Sequence, residues 1–433
     1  MISSDSSFLF FSGVYVKVGQ HLANLDYLLP PEYIETLSAL FDDASPTSYA
    51  DVREVIKEDL GEYPETLFDS FSSVPIACAS LAQVHEAKHK DTGRKLAIKV
   101  QHRGLRESST GDMLALRIAV GAAEYFFPEF SLGWVIDEIA PQLPKELDFC
   151  NEGRNSEIAA SHLKGDDRIV IPGVLWNFTS PRVLCMHFED GCNATDVKAM
   201  RNAGLVTSQV SRLIASVFNR QVFESGFIHC DPHPANVLVR VHPHRKNQPQ
   251  LVLVDHGLYK QIDEDFRLTY AKLWTALMLA DIKGIEKSCR DLGVEKMYPL
   301  LAAMLTSRPF DEILERSKSG RLDENSIVNS AGDKAMIRGY AQRYLKEIVV
   351  MLDTVPRQML LLLKMNDCMR HVAFALGSSP SSSMVIAGDF ASRAVFNAKR
   401  KQKYGLLVQA TNLFSYAKVF FRIRVFEWSS LFR

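Results

Sequence analysis

At 433 residues, with 47% hydrophobic and 10% aromatic side chains, the chain can bury a large core and reads as two or three packed lobes rather than a disordered segment. A formal net charge of -1 gives no global electrostatic reason for a nucleic-acid partner, because phosphate binding needs a clustered basic surface. The seven cysteines, Cys78, Cys150, Cys185, Cys192, Cys230, Cys289 and Cys368, are scattered without a CxxC pair and read as reduced thiols of a cytosolic or organellar compartment.

No run of eighteen uncharged apolar residues occurs, so a soluble or peripheral chain is expected. The opening MISSDSSFLFF lacks the basic flank of a signal peptide and the arginines of a transit peptide, which predicts no targeting segment. Prolines 30, 31 and 46 divide the first sixty residues into helical pieces, the last an amphipathic helix at Tyr49 to Leu60. Gln83 to His89, the turn Asp91-Thr92-Gly93 and Lys95 to Val100 read as a β-hairpin. Helix is predicted from Asp112 to Arg154 with breaks at Pro128, Pro141 and Pro144, then a strand at Arg182 to Phe188. Val210, Leu213, Ile214, Val217 and Phe218 recur at helical spacing, and Gly226 ends that helix. Strands at Val237 to Val241 and Leu251 to Val254 follow, then helical sequence from Asp263 to about Gly377. Ser378 to Ser383 reads as a flexible link to a basic, aromatic tail.

The densest chemistry is His229-Cys230-Asp231-Pro232-His233-Pro234-Ala235-Asn236, which has the H-x-D-x-x-x-x-N spacing of a kinase catalytic loop. In that reading His229 and Asp231 are the catalytic pair, Asp231 taking a proton from the attacking hydroxyl or orienting a water. Asn236 then offers an amide oxygen to Mg²⁺. A surface turn, or a zinc site from His229, Asp231 and His233, fits the same residues. Leu251 to Val254 ends in Asp255-His256-Gly257, where a kinase carries its metal-binding D-F-G. Upstream, Ala97-Ile98-Lys99 resembles the strand lysine that meets the nucleotide phosphates. The order of lysine, catalytic loop and metal aspartate favours the kinase reading, with ATP and Mg²⁺ as ligands.

The loop Ala77-Cys78-Ala79-Ser80-Leu81-Ala82 lies where a kinase has its glycine-rich phosphate loop, yet holds no glycine. Together with Lys17-Val18-Gly19-Gln20, Glu146-Leu147-Asp148 and Glu152, it makes the chain similar to the UbiB, or aarF-domain-containing (ADCK), atypical kinases. The resemblance covers residues 15 to 376 and is nearest to the first-numbered mitochondrial subgroup. It implies an α+β, bilobal protein-kinase-like fold with a small antiparallel-sheet N-lobe, a helical C-lobe and an added N-terminal helical element. It further implies that Glu152 pairs with Lys99, that Ala77, Cys78, Ala79, Ser80, Met186 and His187 line the nucleotide, and that Lys17 and Gln20 face Glu146 and Asp148 as a regulatory lid. A mitochondrial setting, contact with membrane or lipid, and doubtful activity on protein substrates follow from the same likeness.

The expected divisions are a helical element over 1–70, an N-lobe over 71–190, a C-lobe over 191–377 and a linker with tail over 378–433. Ala235 stands where the family has glycine, and His187 where a glutamate is common. The chain begins a few residues before K-x-G-Q, so a longer leader is expected to be missing. The function expected is ATP hydrolysis or phosphoryl transfer tied to mitochondrial organisation or lipid homeostasis. A nucleotide-binding pseudokinase scaffold and a lipid or small-molecule kinase are its rivals.

Overall fold

A computed structural model describes residues 46–126, 136, 140–295, 298–306, 310, 313–315, 355–378, 380–401, 413–414, 416–421 and 424–425. Two compact units emerge, one built mainly from residues up to 161 with 170–190 and 253–258, the other from 162–169, 191–252 and 259 onward.

The first unit opens with helix α1 (Tyr49–Leu60), where the sequence places it. Ser48 caps it by accepting from Asp51 N at 3.2 Å, and Gly61 closes it in the left-handed region at φ 85°. The short helix α2 (Pro64–Leu67) leads into an antiparallel sheet of β1 (Ser70–Phe71), β2 (Ala77–Cys78), β3 (Ala82–Lys88) and β4 (Lys95–Gln101). After helices α3 (Leu105–Phe126), α4 (Leu143–Glu146) and α5 (Phe149–Leu163), and the two-residue strand β5 (Ile169–Val170), strand β6 (Val183–His187) completes the sheet in the order β1-β3-β4-β6, with β2 on β3.

Strand alternation divides this sheet into two faces. Leu96, Ile98 and Val100 of β4 with Val183 and Cys185 of β6 pack against Val52, Val55 and Ile56 of α1 and Phe68. The opposite face carries Lys99, in register with Leu184. Leu184 belongs to a second apolar cluster there, with Ala82 and Phe149 buried and Val174 and Met186 packed on them. Asp59 of α1 ties the helix to the sheet, accepting from Ser180 Oγ at 2.7 Å and Arg182 Nε at 2.9 Å.

The second unit holds β7 (Cys192–Asn193), helices α6 (Val197–Asn202) and α7 (Thr207–Arg220), β8 (Phe227–His229), β9 (Val237–Val241), β10 (Pro249–Leu253) and β11 (Tyr259–Gln261). Helices α8 (Glu264–Leu279), α9 (Ile282–Asp291), α10 (Tyr298–Thr306), α11 (Arg357–Ala375) and α12 (Pro380–Lys401) follow. A four-stranded sheet runs β5-β10-β9-β7, and β8 pairs with β11. Helix α7 runs on through a π-turn at Gln221–Ser225 and ends at Gly226, which caps it in the left-handed region at φ 69°.

One expectation is overturned. Ser378 to Ser383 is not a flexible link, because α12 starts at Pro380. Proline is suited to a first helical turn, since its missing N–H has no partner there to lose. The helix is seated on its neighbours: Val385 is buried beside Val419, with Met278 and Leu279 of α8 packed against them. Among the described residues no helix is long and apolar enough to cross a membrane.

Candidate active site

In the first unit the strand lysine meets the helix glutamate. Lys99 Nζ lies 2.9 Å from both Glu152 oxygens and 3.4 Å from Asp255 Oδ2. The Lys99 and Glu152 side chains are 15% and 3% exposed, whereas Asp255 is 36% exposed. Burial alone would weaken the charge on Lys99, but the Asp255 and Glu152 carboxylates outweigh it and hold the ammonium above its usual range. Burial pushes the Glu152 carboxyl up despite the pull of Lys99. The Phe149 ring lies beneath the ammonium, 5.2 Å from its centroid to Nζ.

Helix α5 sets this geometry. Asp148 caps its start by accepting from Cys150 N at 3.1 Å, so the aspartate of the Glu146/Asp148 element has a local structural task. Glu146 is buried at 7% exposure on α4. Lys17 and Gln20, their expected partners, lie outside the described residues. One turn beyond Glu152, Asn155 Nδ2 donates to His256 O at 3.0 Å, and His256 N donates to Glu152 Oε1 at 3.4 Å. Asp255 Oδ1 accepts from Gly257 N at 3.0 Å. A Cβ on Gly257 would lie 3.4 Å from Asp255 Oδ1, so the small residue leaves that oxygen uncrowded.

The alanine-rich loop is a tight hairpin. Ala77 pairs with Val84 and Cys78 with Gln83, and Ala79 N donates to Ala82 O at 2.8 Å. Ala77, Cys78 and Ala79 are exposed, while Ser80 is buried. Met186 pairs with Ala97 on the Lys99 face, and His187 N donates to Gly173 O at 3.0 Å.

In the second unit His229 is buried at 2% exposure, with Tyr259 of β11 4.9 Å away between ring centroids. Its Nδ1 accepts from Asp231 N at 3.0 Å, which makes it the support on which the loop turns. Asn236 Nδ2 donates to Asp231 O at 3.3 Å, which uses the nitrogen end of the amide within the loop. Pro234–Asn236 form a 3₁₀ turn, and Ala235 is not among the residues with positive φ. Alanine in place of the family's glycine therefore costs no strain. The zinc alternative fails, because among the described residues no three His, Cys, Asp or Glu side chains are grouped to hold a metal. Sequence reasoning missed Lys364, whose Nζ lies 3.2 Å from Asp231 Oδ1, and Asn155. Nothing in the local sequence of either signals its distant partner.

A family model described as the ABC1 atypical kinase-like domain matches residues 39–289, a span that holds Lys99, Glu152, Asp231, Asn236 and Asp255. The chain belongs to this family. AarF domain-containing protein kinase 1 of Gallus gallus is 40% identical over 395 residues, covering 91% of this chain and 74% of that protein. The Mus musculus protein of the same name is 42% identical over 371 residues, 86% of this chain and 69% of its own. A solved structure of Mycobacterium tuberculosis, Rv3197 in complex with erythromycin, aligns with 88% of this chain and 89% of its own at 20% identity, with a TM-score of 0.48. The match to the ABC1 atypical kinase-like domain and the helices and antiparallel sheets described above give the chain a kinase-like α+β fold, with its strand lysine and helix glutamate paired.

Proposed function

We propose that this ABC1 chain binds Mg-ATP and turns it over, as an ATPase or a phosphotransferase. The observation that carries this reading is the Lys99 ammonium, held by both oxygens of buried Glu152 and by Asp255. An ammonium held in place by two carboxylates suits triphosphate oxygens, whose negative charge it offsets. Of the apolar cluster on the same sheet face, Ala82, Phe149 and Leu184 are buried, and the partly exposed Val174 and Met186 are the members that an adenine ring could meet.

Each unit offers a hard oxygen donor of the kind Mg²⁺ takes, the Asp255 carboxylate in the first, about a third of it open to solvent, and the Asn236 amide in the second. When bound, the ion would neutralise phosphate charge. The protein's own work is to orient the triphosphate through Lys99 and to steer the proton of the attacking hydroxyl or water through Asp231. His229 holds the backbone from which Asp231 projects.

We place this activity in a mitochondrial setting tied to lipid homeostasis, from the family likeness. Exposed Phe414, Phe420 and Phe421 near Lys418 and Arg424 support contact with an anionic bilayer. Liposome flotation of the full chain against one ending at Lys401 checks this, and equal binding removes it.

The deciding experiment is thermal denaturation with Mg-ATP. Wild type should be stabilised and Asp255→Asn should respond little. Asp231→Asn should keep the binding shift while losing ADP release. Equal shifts in wild type and Asp255→Asn defeat the nucleotide reading; a wild-type shift without ADP release leaves a binding scaffold.

A further inference from the structure

Helix α11 meets the catalytic loop at two consecutive residues. Lys364 Nζ stands 3.2 Å from Asp231 Oδ1, and one turn later Cys368 Sγ donates to Pro232 O at 2.7 Å. Their i, i+4 spacing puts both side chains on one helix face. The four residues between Asp231 and Asn236 are Pro, His, Pro and Ala, so the loop segment supplies no Lys or Arg of its own. A cation reaches its aspartate from 133 residues downstream.

The pair is mostly shielded, with Lys364 19% and Asp231 29% exposed, and there a charge-assisted contact is stronger than in water because of the lower dielectric. Helix α11 is a firm base for it. Leu363 and Met365 on either side of Lys364 are buried, and Asn366 Nδ2 donates to Leu305 O at 3.2 Å. A side chain projected from a packed helix can hold a carboxylate angle that a loop alone would not.

We infer that Lys364 is a positioning residue for the transfer step, holding the Asp231 carboxylate in the orientation that steers the proton of the attacking hydroxyl or water. This rests on the turnover proposed above. Lys364 acts through Asp231, so its loss lowers kcat and leaves nucleotide affinity in place. A purely structural ion pair would instead change stability and leave the rate per folded molecule unaltered.

The test measures ADP release from Mg-ATP by the full chain, together with ATP titration and thermal midpoint. Lys364→Met should reduce kcat by about 10- to 100-fold with KM for ATP within about twofold of wild type. Lys364→Arg should recover part of the rate. Asp231→Asn combined with Lys364→Met should be no slower than Asp231→Asn alone, because the two residues act in series. Should Lys364→Met lose the fold, Lys364→Gln, which keeps a donor without the charge, takes its place under the same criteria. A wild-type kcat in the uncharged variant overturns the inference, as does an Arg variant no faster than it or a double variant slowed further. If wild type releases ADP no faster than Asp231→Asn, the proposed turnover falls and the inference with it. A wild type that turns over beside an unaffected Lys364 variant removes the inference alone.

Discussion

Removing the Lys99 ammonium leaves the Glu152 carboxylate buried without its main partner. Breaking such a pair from one side is costlier than replacing both members, because the remaining charge keeps its desolvation penalty. Lys99→Met should therefore lower unfolding stability at neutral pH by about 3 kcal/mol, and adding Glu152→Met should restore most of it. Urea denaturation of the two variants decides the point; a single-variant loss below about 1 kcal/mol would place the pair in the weak, solvent-screened class. Ala235 offers a second measurement. Its backbone is ordinary for an L-residue, so Ala235→Gly should destabilise by about 0.5 kcal/mol through the freer unfolded chain, whereas a gain would show that the turn prefers a left-handed angle. Lys99 was legible from the order of strand lysine, catalytic loop and metal aspartate, and the structure has it on the face opposite Leu96, Ile98 and Val100. Lys364 and Asn155 were not, since each meets its partner across more than a hundred residues and no local pattern encodes that meeting.

Helix α1 and the β3–β4 hairpin could be read from sequence because their signals are local: a serine cap, a closing glycine, and a turn at Asp91-Thr92-Gly93. The β8–β11 pair escaped notice, as three-residue strands flanking the catalytic motif are too short for an alternation to stand out. Helix α11 carries a pH-dependent anchor. Burial opposes ionisation of Asp367, but His371 and Arg370 overcome it and hold the carboxyl down at about 2, against an ordinary 3.8. A depressed carboxyl contributes stability that is complete above its unfolded value and lost as pH falls through the folded one. Asp367→Asn should thus cost about 2 kcal/mol near pH 5.5, and its difference from wild type should shrink between about pH 4 and pH 2. A difference that stays constant over that window would show the ion pair to be irrelevant.

Because α12 is seated on α8 rather than tethered, the C-terminal segment contributes to the body of the protein. Val385, Ile386, Ala387 and Ala391 are buried. A chain ending at Gly377 should melt roughly 5 °C or more below the full chain; an unchanged midpoint would return the segment to the status of a dispensable tail. The serines around Pro380 misled because the same residues that mark linkers also start helices, and only the apolar positions further along distinguish the two.

The seven thiols are graded in a way that lends itself to covalent footprinting. None is in a disulfide; Cys78 is exposed, Cys185 and Cys289 are buried, and the other four lie between. Burial pushes the Cys185, Cys289 and Cys368 thiols up to about 12, leaving almost no thiolate at neutral pH for an electrophile to capture. A mild alkylating agent should consequently mark the exposed Cys78, on the β2 arm of the alanine-rich hairpin, well before these three. Peptide mass mapping of that adduct, with and without ATP, would turn the hairpin into a reporter of occupancy.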